Sequence, residues 1–354
     1  MREIEIAVVR VPEHKRENQD AIREKFSRLI DIAGGLPFVG AGDSVLIKVS
    51  ADSARPYPAT TDPHVVSMLI DHLAEKGPSA IFVGDRSALL KKSKKPVGTA
   101  GIASTVAEAA KKYQPIPIKS ISFDDYVYRN RYLPRGIERG WEIEPGKYFF
   151  RVPKMLLEED PYLRQQKLPA KIDHIIVVAG VKTHRLAGFS MGMESYVGFM
   201  DGPSHRLLHK LPRKGFLGIK DIGPSDTTGL QERIAEMLTL VPLPKLVILD
   251  GRQPIITGGP ESNSRLRHLP SFRDDPYTGV MLAGGDVVAV DAAGLSLLKT
   301  QKGVSKVIER HSIWELPTFR RMGELGLCAS QQDKICLEAD SDDDLFNRMA
   351  WYLQ

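Results

Sequence analysis

The run Ile175-Ile176-Val177-Val178 constrains this chain more than any other stretch. Consecutive apolar, β-branched residues leave no polar face, so the segment reads as a parallel strand buried on both sides. It gives way at Ala179-Gly180, and Lys182, Thr183 and His184 follow at once. In an open α/β sheet, residues just past a strand's carboxyl end stand at the rim where ligands bind. A glycine-spaced segment (Gly188, Gly192, Gly198) comes next, with Ser190 as the expected cap of a short helix.

Similar runs recur along the chain. Residues 3–9, 44–49, 80–83, 116–123, 246–249, 280–283 and 334–337 read as strands. Between them lie helical patterns. Residues 18–33 place Ile22, Phe26, Leu29 and Ile30 at helical spacing, and Asp62-Pro63 opens another helix as N-cap and first-turn proline. Residues 99–113, 230–240, 287–298 and 304–326 read as further helices. This alternation specifies an α/β fold, a mostly parallel central sheet covered by helices. It breaks over 124–170, an irregular insertion expected to serve as a lid, an oligomer contact or a substrate wall. The break separates an N-terminal half, residues 1–170, from a C-terminal half, residues 171–354, continuous with it or divided from it by a cleft.

Composition narrows the function classes. No apolar run is long enough to cross a bilayer, so a membrane is not expected as a partner. The first residues show no signal-peptide core, which points to a cytoplasmic protein. Cys328 and Cys336 are the only cysteines, so neither a disulfide framework nor an iron–sulfur cluster is encoded. The formal charge of +5 supplies no global field for nucleic acid, which is therefore not the expected partner. Two basic stretches stand out locally. One is Lys91, Lys92, Lys94 and Lys95. The other interleaves Arg129, Arg131, Arg135 and Arg139 with Tyr126, Tyr128, Tyr132 and Trp141. The second would suit single-stranded nucleic acid by stacking and neutralisation, and a homo-oligomer contact explains it about as well.

The strand ends supply the candidate site. Lys182 offers a cation for phosphate or carboxylate, and His184 a proton carrier or metal ligand near neutral pH. Lys48, Asp52, Arg55, Thr60, Thr61 and Asp85 follow two other strands and are expected to bind substrate. Gly258 and Gly259 would do so through backbone N–H groups. His184, His205, His209 and Asp250 form a candidate set of ligands for a divalent metal. His205 and His209 share a face if helical, although Arg206 stands where the metalloprotease motif has glutamate. Asp250, Asp286 and Asp291 could instead hold Mg²⁺, with Asp286 equally an N-cap and Asp291 equally a partner for a lysine. The expected cleft gathers the strand ends after Lys48, Val83, Val178, Leu249 and Ala283.

Five blocks in order resemble the family named domain of unknown function 362. They are VLIKVSADSARPYPATTDPHVVSMLIDHL, IFVGDRS, DHIIVVAGVKTH, LVILDGRQPIITGGP and MLAGGDVVAVDAAG, spanning roughly residues 45–298. The resemblance implies an α/β fold and an enzyme of unsettled reaction. Val49-Ser50 stands where the family has proline-asparagine, and Glu194-Ser195 where it often has lysine-asparagine. Many relatives carry a ferredoxin module, so the resemblance also raises an accessory role in iron–sulfur or redox systems, without a cluster of its own. Asp52-Ser53-Ala54-Arg55-Pro56 is similar to a loop of the lactate racemase family, where it serves substrate or the nickel-pincer nucleotide.

The leading expectation is an enzyme acting on a small carboxylated or phosphorylated anion. Its chemistry would be proton-transfer isomerisation or racemisation, or metal-assisted. The competing class is a non-catalytic module binding anions or nucleic acid through residues 126–141.

Overall fold

The computed structural model of the chain describes residues 2–51, 55–86, 101–123, 132–135, 150–208, 227–259, 276–326, 328–331 and 333–354. The strands are β1 (Glu3–Arg10), β2 (Ser44–Val49), β3 (Ala80–Asp85), β4 (Ile118–Ser122), β5 (Tyr132–Arg135) and β6 (Phe150–Pro153). They continue with β7 (His174–His184), β8 (Gly188–Ser190), β9 (Leu246–Ile255), β10 (Val280–Gly284) and β11 (Lys334–Ala339). The helices are α1 (Gln19–Ile32), α2 (Pro63–Ala74), α3 (Ile102–Lys112), α4 (Pro161–Gln165), α5 (Gly192–Ser195) and α6 (Gly202–Leu208). They end with α7 (Thr227–Met237), α8 (Val287–Lys299), α9 (Lys306–Arg310), α10 (Pro317–Leu325) and α11 (Asp344–Leu353).

One sheet collects strands from both halves of the chain in the order β11-β1-β10-β9-β7-β2-β3-β4, with β8 pairing on β7. β9, β7, β2, β3 and β4 are mutually parallel. β10 is antiparallel to both β1 and β9, so β1 and its parallel neighbour β11 point the same way as the rest. The fold is α/β and mostly parallel, as the alternation specifies. The expectation for Ala283 needs correction: β10 runs against its neighbours, so its carboxyl end and Gly284-Gly285-Asp286 lie at the opposite rim from the ends of β2, β3, β7 and β9.

Alternating side chains divide the core between the two faces of the sheet. Val45, Ile47, Ile81, Val83, Ile176 and Val178 pack with α1, α2 and α3. Leu46, Phe82, Val177 and Leu249 pack with α7, α8, α10 and α11 on the other side. The caps follow the sequence. Asn18 accepts the Ala21 N–H to start α1, and Asp62 accepts the His64 N–H to start α2, with Pro63 in the first turn.

Three local expectations change. The strand at Ile175 does not stop at Gly180 but runs to His184, because β8 folds back and satisfies its backbone through Lys182↔Ser190, Thr183↔Phe189 and His184↔Gly188. Ser190 therefore sits in a strand, and α5 begins at Met191 with no side-chain cap of its own. Residues 304–326 form two helices, α9 and α10, the second opened by Pro317. Of the basic aromatic insertion, β5 pairs antiparallel with β6 in a separate two-stranded sheet. Arg129, Arg131, Arg139, Tyr126, Tyr128 and Trp141 lie outside the described residues, as do Lys91, Lys92, Lys94 and Lys95.

Candidate functional site at the sheet's switch point

From β2 the chain builds outward through β3 to β4, then returns to lay β7 on the other side of β2 and builds the opposite way to β9. The loops leaving β2 and β7 consequently diverge, and open α/β sheets place their ligand crevice at this reversal. Hydrogen bonds shape the loop after β2. Thr61 Oγ1 accepts from Ser50 N at 2.9 Å and donates to Val178 O at 2.8 Å, tying the loop to β7. Thr60 Oγ1 donates to Arg55 O at 2.8 Å. Both threonines are buried, so their hydroxyls shape the loop.

Lys182 meets this loop. Its side chain is on the face of α1–α3, 2% exposed, and its ammonium donates to Ala59 O at 3.1 Å. No carboxylate among the described residues comes within ion-pair distance of it. A buried ammonium with only a neutral partner is costly unless something else compensates. Asp250, paired in register with Gly180, receives Arg252 Nε at 3.0 Å and Nη2 at 2.6 Å. Arg252 Nη2 also reaches Asp62 Oδ2 at 2.6 Å, and Tyr57 O–H donates to Asp250 Oδ1 at 3.2 Å. Burial disfavours the charged guanidinium, but Asp250 outweighs it and holds Arg252 charged well above its ordinary range. Burial also pushes the Tyr57 phenol well up, with Asp250 adding to the effect. Two carboxylates around one guanidinium leave this cluster one negative charge in excess.

The other face of the rim is closed differently. Lys48 Nζ pairs with Asp85 Oδ1 at 2.6 Å and donates to Val49 O at 2.8 Å, while Asp85 Oδ2 accepts from Ala51 N. The backbone of Gly198 lies against this pair. A Cβ there would stand 2.7 Å from Lys48 Nζ and would collide with Asp85 Oδ1. The Phe199 ring lies 5.7 Å from the ammonium, and Ser195 Oγ is 3.5 Å from Ser50 Oγ.

The remaining candidates disperse. His184 Nδ1 accepts from Leu186 N at 3.1 Å and Ala187 N at 2.9 Å, fastening the β7–β8 turn and leaving the proton of a neutral ring on Nε2. Gly259 donates to Thr183 Oγ1 at 3.3 Å, and a Cβ there would strike Thr183 O. Gly258 has a φ of 68°, so the pair serves a close backbone crossing over the end of β7. Asp286 caps α8 through Val288 N and Ala289 N. Among the described residues no lysine pairs with Asp291; its oxygens accept from Gly192 N and Met193 N, each at 2.8 Å. His184, His205 and Asp250 are not gathered into a group of three ligands among the described residues, and Asp250 is committed to Arg252 and Tyr57. His209 and Asp52 lie outside the described residues. Sequence reasoning missed Tyr57, Arg252 and Gly198. Asp250-Gly251-Arg252 was the visible signal for the second, but the irregular pairing of β9 that brings Arg252 back onto Asp250 was not.

This geometry lies inside a stretch with a known family profile. The family described as Domain of unknown function (DUF362) matches residues 45–296, from β2 into α8. The chain belongs to that family. No curated protein matches it. The DUF362 region takes in both buried lysines, Asp85, the Tyr57–Asp250–Arg252 cluster and Asp291. Among the described residues no helix is long and apolar enough to cross a membrane.

Proposed function

We propose that this DUF362 protein is an enzyme that binds a small carboxylated or phosphorylated anion at the switch point, with Lys182 as the cation that receives it. The observation carrying this reading is the isolation of Lys182: a buried ammonium at a strand end, held by one backbone carbonyl and by no carboxylate among the described residues. An arriving anion gives it a direct ion pair, whose strength grows in a low-dielectric site. His184 follows two residues later on β7 and therefore projects to the same side. Its turn hydrogen bonds hold Nδ1 as an acceptor and put the proton of the neutral ring on Nε2, the arrangement of a hydrogen-bond donor that polarises a carbonyl or carboxylate of the bound substrate while a proton moves on the substrate's carbon. Proton-transfer isomerisation or racemisation of a carboxylated compound is the chemistry that uses both residues.

The test is thermal unfolding of the wild-type protein and Lys182→Met over a series of pyruvate, malate and inorganic phosphate concentrations, beside native mass spectrometry of the purified chain. A bound anion raises the wild-type midpoint progressively, with the logarithm of ligand concentration once that exceeds the dissociation constant, and the variant loses the shift. Equal shifts in the two proteins would remove Lys182 from the role. Deuterium uptake from D₂O into a binding carboxylate, abolished in His184→Gln, tests the proton-transfer step.

A further inference from the structure

The segment that seals the Lys48–Asp85 side of the rim is anchored from beneath by a carboxyl that the proposed chemistry does not use. α5 begins without a side-chain cap from its own neighbourhood. The cap comes from the middle of α8, ninety-nine positions away for Gly192: Asp291 Oδ1 accepts Gly192 N–H and Oδ2 accepts Met193 N–H. The fit admits only glycine at the first position, because a Cβ on Gly192 would stand 2.7 Å from Asp291 Oδ1 and 3.0 Å from Val247 and Val287. From this anchor the chain runs directly into Ser195, Gly198 and Phe199, which face Ser50 and the Lys48–Asp85 pair, and on to Met200, whose carbonyl accepts from Arg86 at 2.7 Å.

We infer that Asp291 is a positioning residue for the rim, fastening residues 192–199 when it is ionised and slackening them when it is protonated. An ionised carboxylate accepts from both N–H groups. A carboxylic acid places a proton on one oxygen, which then faces a donor with a donor, and one of the two ties is lost. Among the described residues, the charged groups acting on it are Glu194 on α5 and Asp286 at the start of its own helix, both negative. Complete burial, with those two carboxylates, pushes the Asp291 carboxyl up to about 7 against the pull of the two N–H groups, so the change falls in the neutral range. The consequence for ligand binding rests on the rim being the ligand site; the motion of the segment does not.

The experiment is hydrogen exchange by mass spectrometry on the full chain at pH 6 and pH 8, corrected for intrinsic rates, reading peptides across residues 191–200. Wild type should be more protected at pH 8, by on the order of tenfold, the equivalent of one hydrogen bond. Asp291→Asn should show equal protection at the two pH values. Equal protection in wild type, or the same pH response in Asp291→Asn, overturns the inference. If Asp291→Asn does not fold, the wild-type comparison still decides. Pyruvate-induced thermal shifts in Lys182→Met, at both pH values, judge the anion reading separately, so failure of one is not failure of the other.

Discussion

Lys48 and Lys182 stand on neighbouring strands at the same rim, 1% and 2% exposed, on opposite faces of the sheet. Lys48 has a carboxylate at 2.6 Å, a backbone carbonyl at 2.8 Å and a glycine backbone pressed over both partners. Lys182 has a carbonyl at 3.1 Å and, among the described residues, no carboxylate within ion-pair distance; Asp250 and Asp62 are organised around Arg252. Residue type, burial and position at a strand end are shared. Charge pairing among the described residues is what separates them: the first lysine has a carboxylate partner, and the second has a backbone carbonyl.

Breaking the closed side should produce the largest effect. Lys48→Met leaves Asp85 buried without its cation, which should cost about 3–5 kcal/mol of unfolding free energy. A urea titration showing less than about 1 kcal/mol would erase the distinction drawn between the two lysines. Gly198→Ala tests the same side by steric means. It pushes a methyl into the ion pair and should cost about 1–3 kcal/mol, with no matching loss for alanine at open positions such as Gly323. Asp291→Asn sharpens the comparison through pH. The Asp291 carboxyl stands at about 7 folded against 3.8 as a free group, so the folded state holds its proton between those values. Its contribution is therefore fully present below 3.8, is lost progressively as the pH rises from 3.8 towards about 7, and is gone above that. Wild type should lose roughly 2 kcal/mol relative to Asp291→Asn between pH 5.5 and pH 8. The local tie of α5 and the global stability thus move in opposite directions with pH.

The sheet was legible because fully apolar β-branched runs have few alternatives to a buried strand, and strands 44–49 and 80–85 delivered Lys48 and Asp85 to the expected rim. The direction of β10 was not legible: an apolar run buried on both faces looks the same in either orientation, and the reversal is set by pairing with β1 from the chain's other end. Within the site, the position just past an apolar strand singled out Lys182, and Thr60 and Thr61, expected at a ligand, hydrogen-bond to Arg55 O and Val178 O. Hydroxyls in a loop carry no mark of which acceptor they will find. Gly192 and Asp291 were both visible, but their contact is made by the crossing of two helices and has no local signature.

His184→Ala should have a smaller effect, about 1 kcal/mol, because Leu186 and Ala187 lose an acceptor in a turn that water partly reaches. The same variant is expected to abolish deuterium exchange into a bound carboxylate. Loss of several kcal/mol with exchange intact would make His184 a turn residue only.

Lys182→Met should change stability least while changing binding most. The substitution keeps an unbranched side chain of similar length over Gly180, where the lysine methylenes now pack. It removes an ammonium whose close partner among the described residues is the Ala59 carbonyl, so one hydrogen bond is lost and the desolvation of one cation is relieved. These two terms oppose each other. The Asp62–Arg252–Asp250 cluster keeps its own pairing, and no direct ion pair among the described residues is broken. The sum should lie within about 1 kcal/mol of wild type in a denaturant titration. On the proposed reading, an anionic ligand loses its ion pair with Lys182 in the same variant, and binding should fall by on the order of 100-fold, the scale of a charge-assisted hydrogen bond. If Lys182→Met instead unfolds as readily as Lys48→Met, then Lys182 is held by a pairing of its own, and the two sides of the rim are built alike.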